Sequence, residues 1–203
     1  MFVVIEGPNG SGKTSLLKRL GEGGFETLSS PNGTKMAKIL RPMCRGTEPW
    51  VDIDKKVQFL LFSAARYDEY IRLVEGKSDV IVADRWWTST YVYQCLFQGI
   101  SIKLLEQTIK EDEKIDLVVL LDGDDDVLID RVMSERERNP GHKKCTWTMD
   151  DNTIRAIIDI YRKDLPTYLR RCGISVLKID VTENDQDRVF EIVKSKIDGI
   201  MNV

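Results

Sequence analysis

The chain of 203 residues contains one histidine, His142, and four cysteines, Cys44, Cys95, Cys145 and Cys172, with no C-x-x-C pair among them. This leaves no ligand pattern for structural zinc and no disulfide framework. The cysteines read as reduced thiols of an intracellular, cytoplasmic protein. No apolar run approaches the ~20 residues of a membrane span, so no membrane partner is expected. Charge is nearly balanced, with 30 Lys and Arg against 33 Asp and Glu. Nothing in that balance favours a nucleic-acid backbone as a partner. No repeat or low-complexity tract appears. An apolar strand begins at residue 2, so no signal peptide is expected ahead of it. The length fits a single domain over 1–203, with at most a lid.

What is present is a phosphate-binding loop. Gly7-Pro8-Asn9-Gly10-Ser11-Gly12-Lys13-Thr14 fits G-x-x-x-x-G-K-[ST],. It follows the β-branched run Phe2-Val3-Val4-Ile5 and precedes a helical pattern carrying Leu16, Leu17 and Leu20,. Strand, glycine turn and helix start together aim backbone N–H groups and a helix dipole at one point. The loop and Ser15 are expected to bind ATP, with Lys13 at the β- and γ-phosphates and Thr14 as a Mg²⁺ ligand.

Four further apolar runs, near 25–29, 79–83, 116–122 and 174–179, alternate with helical patterns. The expectation is an α/β protein of the P-loop NTPase fold, a five-stranded parallel sheet with helices on both faces. The long helix 55–74 is expected to pack through Val57, Leu60, Leu61, Ala64, Tyr67 and Ile71,. A short helix from Lys35 should end near Pro42, and Pro166 should kink or end the helix that starts near Asp150. The polar, mostly basic segment 136–147 reads as a small loop-like lid.

Ligands on such sheets bind at the C-terminal ends of the strands. Asp84 and Arg85 fall at one such end. An acid there can hold Mg²⁺ beside the P-loop, and the arginine can clamp a second phosphate. Phe62 and Arg66 share a helix face at i, i+4; spacing alone favours a core phenylalanine with a snorkelling arginine over a base-binding pair. Asp122-Gly123-Asp124-Asp125-Asp126 fails the calcium-loop pattern, because Val127 stands where glycine is needed and Met133 where glutamate is,.

These motifs resemble the thymidylate kinases. The likeness rests on Ile5-Glu6-Gly7, Pro31-x-Gly33-Thr34 and Leu61-Phe62-x-x-Ala65-Arg66. It continues through Asp84-Arg85-x-x-x-Ser89-Thr90-x-x-Tyr93-Gln94, Asp116-Leu117-x-x-x-Leu121-Asp122 and the Pro140-Gly141 segment. The resemblance implies phosphoryl transfer from ATP to a deoxynucleoside monophosphate, most often dTMP, with Mg²⁺ as cofactor and a homodimer built through helices. It implies that Phe62 stacks on the base and that Arg66 bonds its carbonyl. Thr90 would contact the base edge, Tyr93 would lie under the deoxyribose, and Arg85 would hold the acceptor phosphate. Asn9 stands where many relatives place an acid at the sugar hydroxyl, and Ser29-Ser30 where many carry Arg-Glu. The P-loop lacks an arginine that some relatives carry there, which leaves Arg136 and Arg138 of the lid as candidates for the transition state. The alternatives are a kinase for another monophosphate and a deoxynucleoside kinase of related fold, although the latter's Glu-Arg-Ser element is absent. A nucleotide switch would need an N-K-x-D element, and none is present.

Overall fold

The computed structural model describes residues 1–45, 49, 52–109, 113–138 and 150–201. Five strands form one parallel sheet: β1 (Phe2–Glu6), β2 (Glu26–Ser29), β3 (Ile81–Asp84), β4 (Leu117–Asp122) and β5 (Ser175–Asp180), in the order β2-β3-β1-β4-β5. Every residue of β1, β3 and β4 is buried, while the edge strands β2 and β5 are partly exposed. That explains the continuous apolar runs of the central strands, which are covered on both faces. Alternate residues feed two cores. Phe2 and Val4 point into one, with Phe59, Trp87 and Leu165; Val3 and Ile5 point into the other, with Leu20, Leu128 and Val193,.

The helices on these faces are α1 (Lys13–Glu22), α2 (Lys35–Cys44), α3 (Lys55–Glu69), α4 (Trp87–Thr90), α5 (Ile102–Thr108), α6 (Asp125–Arg138), α7 (Asp151–Asp159), α8 (Leu165–Arg171) and α9 (Gln186–Met201). Thr34 caps α2 by accepting from the Ala37 N–H at 3.0 Å, and Asp124 caps the start of α6,. Among the described residues, no helix is long and apolar enough to cross a membrane.

Three expectations are corrected. Helix α2 runs through Pro42 and ends at Cys44; the proline gives up its own bond to the turn before it, and the helix stops two residues later,. The first α-helical part does end ahead of Pro166, but already at Asp159. A π-helical turn, Ile160–Asp164, joins α7 to α8, and Pro166 sits in the first turn of α8, where a missing N–H costs least,. Arg136 and Arg138 belong to the last turn of α6 rather than to a loop, and 139–147 lie outside the described residues.

The fourth correction concerns α3. Val57, Leu60, Tyr67 and Ile71 are 40–46% exposed. The buried side instead holds Gln58, Phe59, Ser63, Arg66 and Glu69. The helix turns a partly polar face inward because its polar groups have partners there. Glu69, for example, accepts from Ser30 Oγ at 2.6 Å and from the N–H groups of Asn32 and Gly33 at 2.7 and 2.6 Å,. It thereby ties the Pro31 loop to the helix.

Phe59 is fully buried in the first core. Phe59→Ala should lower the unfolding free energy by about 3–5 kcal/mol in urea titrations. A loss below about 1 kcal/mol would mean that α3 packs through its other face.

Candidate active site

The strand order reverses direction at β1, and the crevice there opens at the C-terminal ends of the strands,. The P-loop follows β1 at this point. A Cβ on Gly7, whose φ is +148°, would fall 2.3 Å from the Leu121 carbonyl oxygen; one on Gly10 would fall 2.5 Å from that of Leu128. The loop is therefore pressed against β4 and α6 as well as turned by its glycines. Helix α1 starts at Lys13 with no side-chain cap and no acid in its first turn. Its first N–H groups are left for an anion.

A cavity of about 1040 Å³ lies above the loop. Its wall includes Asn9, Gly10, Ser11, Gly12, Lys13, Thr14 and Ser15, together with Phe62, Arg66, Asp84, Arg85, Thr90, Tyr93, Arg136 and Arg138. Residues from the P-loop, α3, β3 and α6 thus meet in one place. Gly7 and Pro8 are not in the wall; they support it from below, and the Pro8 carbonyl accepts from Lys13 Nζ at 2.7 Å.

At the base of the cavity, Thr14 Oγ1 lies 3.4 Å from Asp84 Oδ2, while the buried Asp84 Oδ1 has no hydrogen-bond partner among the described residues. A hydroxyl and a carboxylate oxygen left open beside a phosphate loop fit the oxygen ligands that Mg²⁺ takes.

Arg85 adopts φ 70°, an uncommon conformation for a residue with a side chain,. Its guanidinium donates from Nη1 to Ser89 Oγ and Tyr161 Oη, and from Nη2 to Asn9 Oδ1, all at 2.9 Å. It also lies over the Tyr93 ring, 5.4 Å from the centroid,. Behind it, the fully buried Glu6 accepts from Thr88 Oγ1 (2.6 Å), Ser89 Oγ (2.9 Å) and Tyr161 Oη (3.0 Å). Burial, then Glu6, pushes the Tyr161 phenol well above its usual range, so it stays a neutral donor,. Burial alone would disfavour the Arg85 charge, but Tyr93, Tyr161 and Glu6 reverse this and hold it well above its ordinary value.

Three contributors were not legible as site residues. Arg41 lines the cavity and donates to the Pro31 carbonyl at 3.0 Å. It stands seven residues after the Thr34 cap, two helical turns on, and that spacing was the available signal. Glu6 is an acid closing an otherwise apolar strand. Tyr161 carries an apolar body suited to the core and gave no local sign of its polar role.

The fold and this site define a P-loop nucleotide kinase: a phosphate loop, a carboxylate and a second cationic side chain in one crevice. The thymidylate kinase family model matches residues 5–157. The chain is 31% identical over 207 residues to a probable thymidylate kinase of Methanococcus maripaludis, covering 100% of this chain and 98% of the relative. A shorter match, 33% over 115 residues, covers about half of each chain, 52% of this one and 51% of the thymidylate kinase of Protochlamydia amoebophila. The crystal structure of a thymidylate kinase from Ehrlichia chaffeensis superposes with a TM-score of 0.67 over 98% of both chains, at 20% identity, which speaks to the fold. The chain belongs to the thymidylate kinase family.

Burial, then the nearby Arg85 charge, lowers the Lys13 pKa to about 7, against the opposing pull of Asp84, Glu6 and Glu135. Only the charged amine attracts phosphate. The dissociation constant for ATP should therefore rise as pH climbs above 7, with proton uptake on binding, measurable by calorimetry in buffers of different ionisation enthalpy. The nucleotide-free protein should respond oppositely. A lysine pKa lower in the folded than in the unfolded chain costs stability in full below about 7. That cost is relieved as pH rises toward 10.5,. ATP affinity constant between pH 6.5 and 9 would contradict this assignment.

Proposed function

We propose that this chain transfers the γ-phosphoryl group of ATP to dTMP, giving ADP and dTDP. The observation that carries this reading is the single cavity shared by the P-loop, the Arg85 clamp and the Phe62–Arg66 face. Family membership supports the choice of acceptor. In this reading, the P-loop from Gly7 to Ser15 cradles ATP, and Lys13 neutralises charge on the transferring group. Arg85 holds the acceptor phosphate, supported by Asn9, Ser89 and Tyr161. Phe62 stacks on the base, Arg66 and Thr90 read its edge, and Tyr93 packs under the sugar. Arg136 and Arg138 are the candidates to meet the transferring phosphoryl from the end of α6. Thr14 and Asp84 would hold Mg²⁺, which supplies charge neutralisation between the donor phosphates when bound. The acceptor phosphate is already ionised near neutral pH, so catalysis needs positioning and charge rather than a general base.

A second copy of the chain is the partner we assign. The exposed residues Val57, Leu60 and Tyr67 of α3 and Ile71 of the π turn after it (Tyr70–Val74) recur every three or four positions around Ala64, and Met36 and Ile39 of α2 add to the exposed apolar surface. A stripe of this kind suits helix-to-helix pairing between copies. A cytoplasmic location goes with this reading, since Cys44, Cys95 and Cys172 are free thiols,.

ADP release should depend on a monophosphate acceptor and be fastest with dTMP; free nucleosides should give none. Lys13→Met should fold normally and lose on the order of a hundredfold or more in kcat. Ribonucleotides should be poorer acceptors by about ten- to a hundredfold, because a buried 2′-hydroxyl against Tyr93 lacks a partner. Tyr93→Ala should narrow that gap. ADP release indifferent to any acceptor would sink the kinase reading.

Sedimentation of the wild-type chain should report a dimer, and Leu60→Glu should shift it to a monomer. A wild-type monomer at micromolar concentration would remove the homodimer from this picture.

A further inference from the structure

Arg66 is 2% exposed, yet it lines the cavity. Its Nη2 donates to the Thr108 carbonyl at 2.6 Å. Its Nε forms an ion pair with Glu113 Oε1 at 3.0 Å, in which both side chains are at most 3% exposed. Its Nη1 is buried with no hydrogen-bond partner among the described residues. A guanidinium carries donors only, and leaving one of them unmade in a buried wall is costly. A ligand that offers an acceptor atom at this point relieves that cost, and one that offers an amino group does not.

Glu113 is fixed from a second direction. Its Oε1 also accepts from Trp86 Nε1 at 2.6 Å. Trp86 directly follows Arg85, the clamp of the phosphate end. Glu113 itself stands just before β4, more than forty residues after Arg66. One buried carboxylate oxygen therefore joins the arginine of the base end to the strand end that carries the arginine of the phosphate end. We propose that Glu113 is a specificity-determining positioning residue. It holds Arg66 in the cavity wall with the buried Nη1 still in need of an acceptor, so that the acceptor base must present a carbonyl oxygen, as in 4-oxo pyrimidines, and not an amino group.

Burial pushes the Arg66 guanidinium below its usual pKa, and Glu113 opposes this. The carboxylate thus keeps the donor charged as well as placed. The inference deepens the dTMP reading above and rests on it for where the base lies.

The test is the ratio of dissociation constants for dTMP and 5-methyl-dCMP, which differ at position 4 (oxo against amino) and at N3 (donor against acceptor); the Arg66→Ala background separates the part read through Arg66 from the N3 part. Calorimetry without ATP measures this independently of turnover. If turnover is absent but the ratio behaves as described, the kinase reading fails and the role of Glu113 stands. The wild-type chain should favour dTMP. Glu113→Gln should lower that preference about tenfold or more, since a misplacement of about 1 Å in a positioned group costs up to a hundredfold. ATP affinity should be unchanged. In an Arg66→Ala background the Glu113 substitution should have no further effect on the ratio, because it acts through Arg66. Should Glu113→Gln fail to fold, Glu113→Asp, which keeps the charge but retracts it, carries the same comparison. An unchanged ratio in the folded variant, or an equal loss for both nucleotides that persists without Arg66, overturns the proposal.

Discussion

The carboxylate of Glu6 is the constraint on which the catalytic end of this fold depends. It is fully buried at the C-terminal end of the central strand, where an uncompensated charge would be prohibitive,. The chain answers it with Thr88, Ser89 and Tyr161 hydroxyls, and with the Trp86 backbone N–H at 3.3 Å. Those donors come from Trp86 and α4, which follow β3, and from the π turn before α8. Satisfying one oxygen pair thus docks two distant segments onto β1. Arg85, between them, inherits its orientation and its unusual backbone conformation from the same arrangement,.

Charge is concentrated where overall composition conceals it. The chain carries a net −3, yet Lys13, Arg41, Arg66, Arg85, Arg136 and Arg138 converge on one cavity. Lys13 and Arg66 are buried, Arg41 and Arg138 donate to backbone carbonyls, Arg85 donates to hydroxyls, and Arg136 meets the Met133 thioether. Lys13 is the least settled of them, since burial and Arg85 both act against its charge. An empty site of this kind holds charge repulsion that phosphate groups remove.

The strands and the phosphate loop were legible because both obey short-range rules. A buried parallel strand is a continuous apolar run, and the phosphate loop needs glycines at set intervals before a lysine. Helix α3 misled because its apolar stripe was assigned to the core, whereas the core takes Phe59 and a set of polar groups with distant partners. Arg66 illustrates the same limit. Its i, i+4 spacing from Phe62 is visible locally, but Glu113 and Thr108, which make its burial tolerable, lie more than forty residues on. By a local rule, Pro42 marks a helix end and Pro166 a kink or an end. Neither rule nor periodicity signals a π turn, and three lie among the described residues, at Tyr70–Val74, Tyr91–Phe97 and Ile160–Asp164.

Two of those turns carry Tyr93 and Tyr161, whose rings meet edge to face with centroids 6.0 Å apart. A π turn is an α-helix holding one residue more than its hydrogen-bond ladder accommodates. Deleting a residue within Ile160–Asp164 would let the backbone relax to regular helix, an improvement judged locally. It would also rotate one flank of the turn by about 100° relative to the other, separating Tyr161 from Glu6 or α8 from its packing. Residue count at this turn is therefore a functional variable in its own right. A chain one residue shorter would have a better-formed helix and an Arg85 guanidinium with nothing behind it.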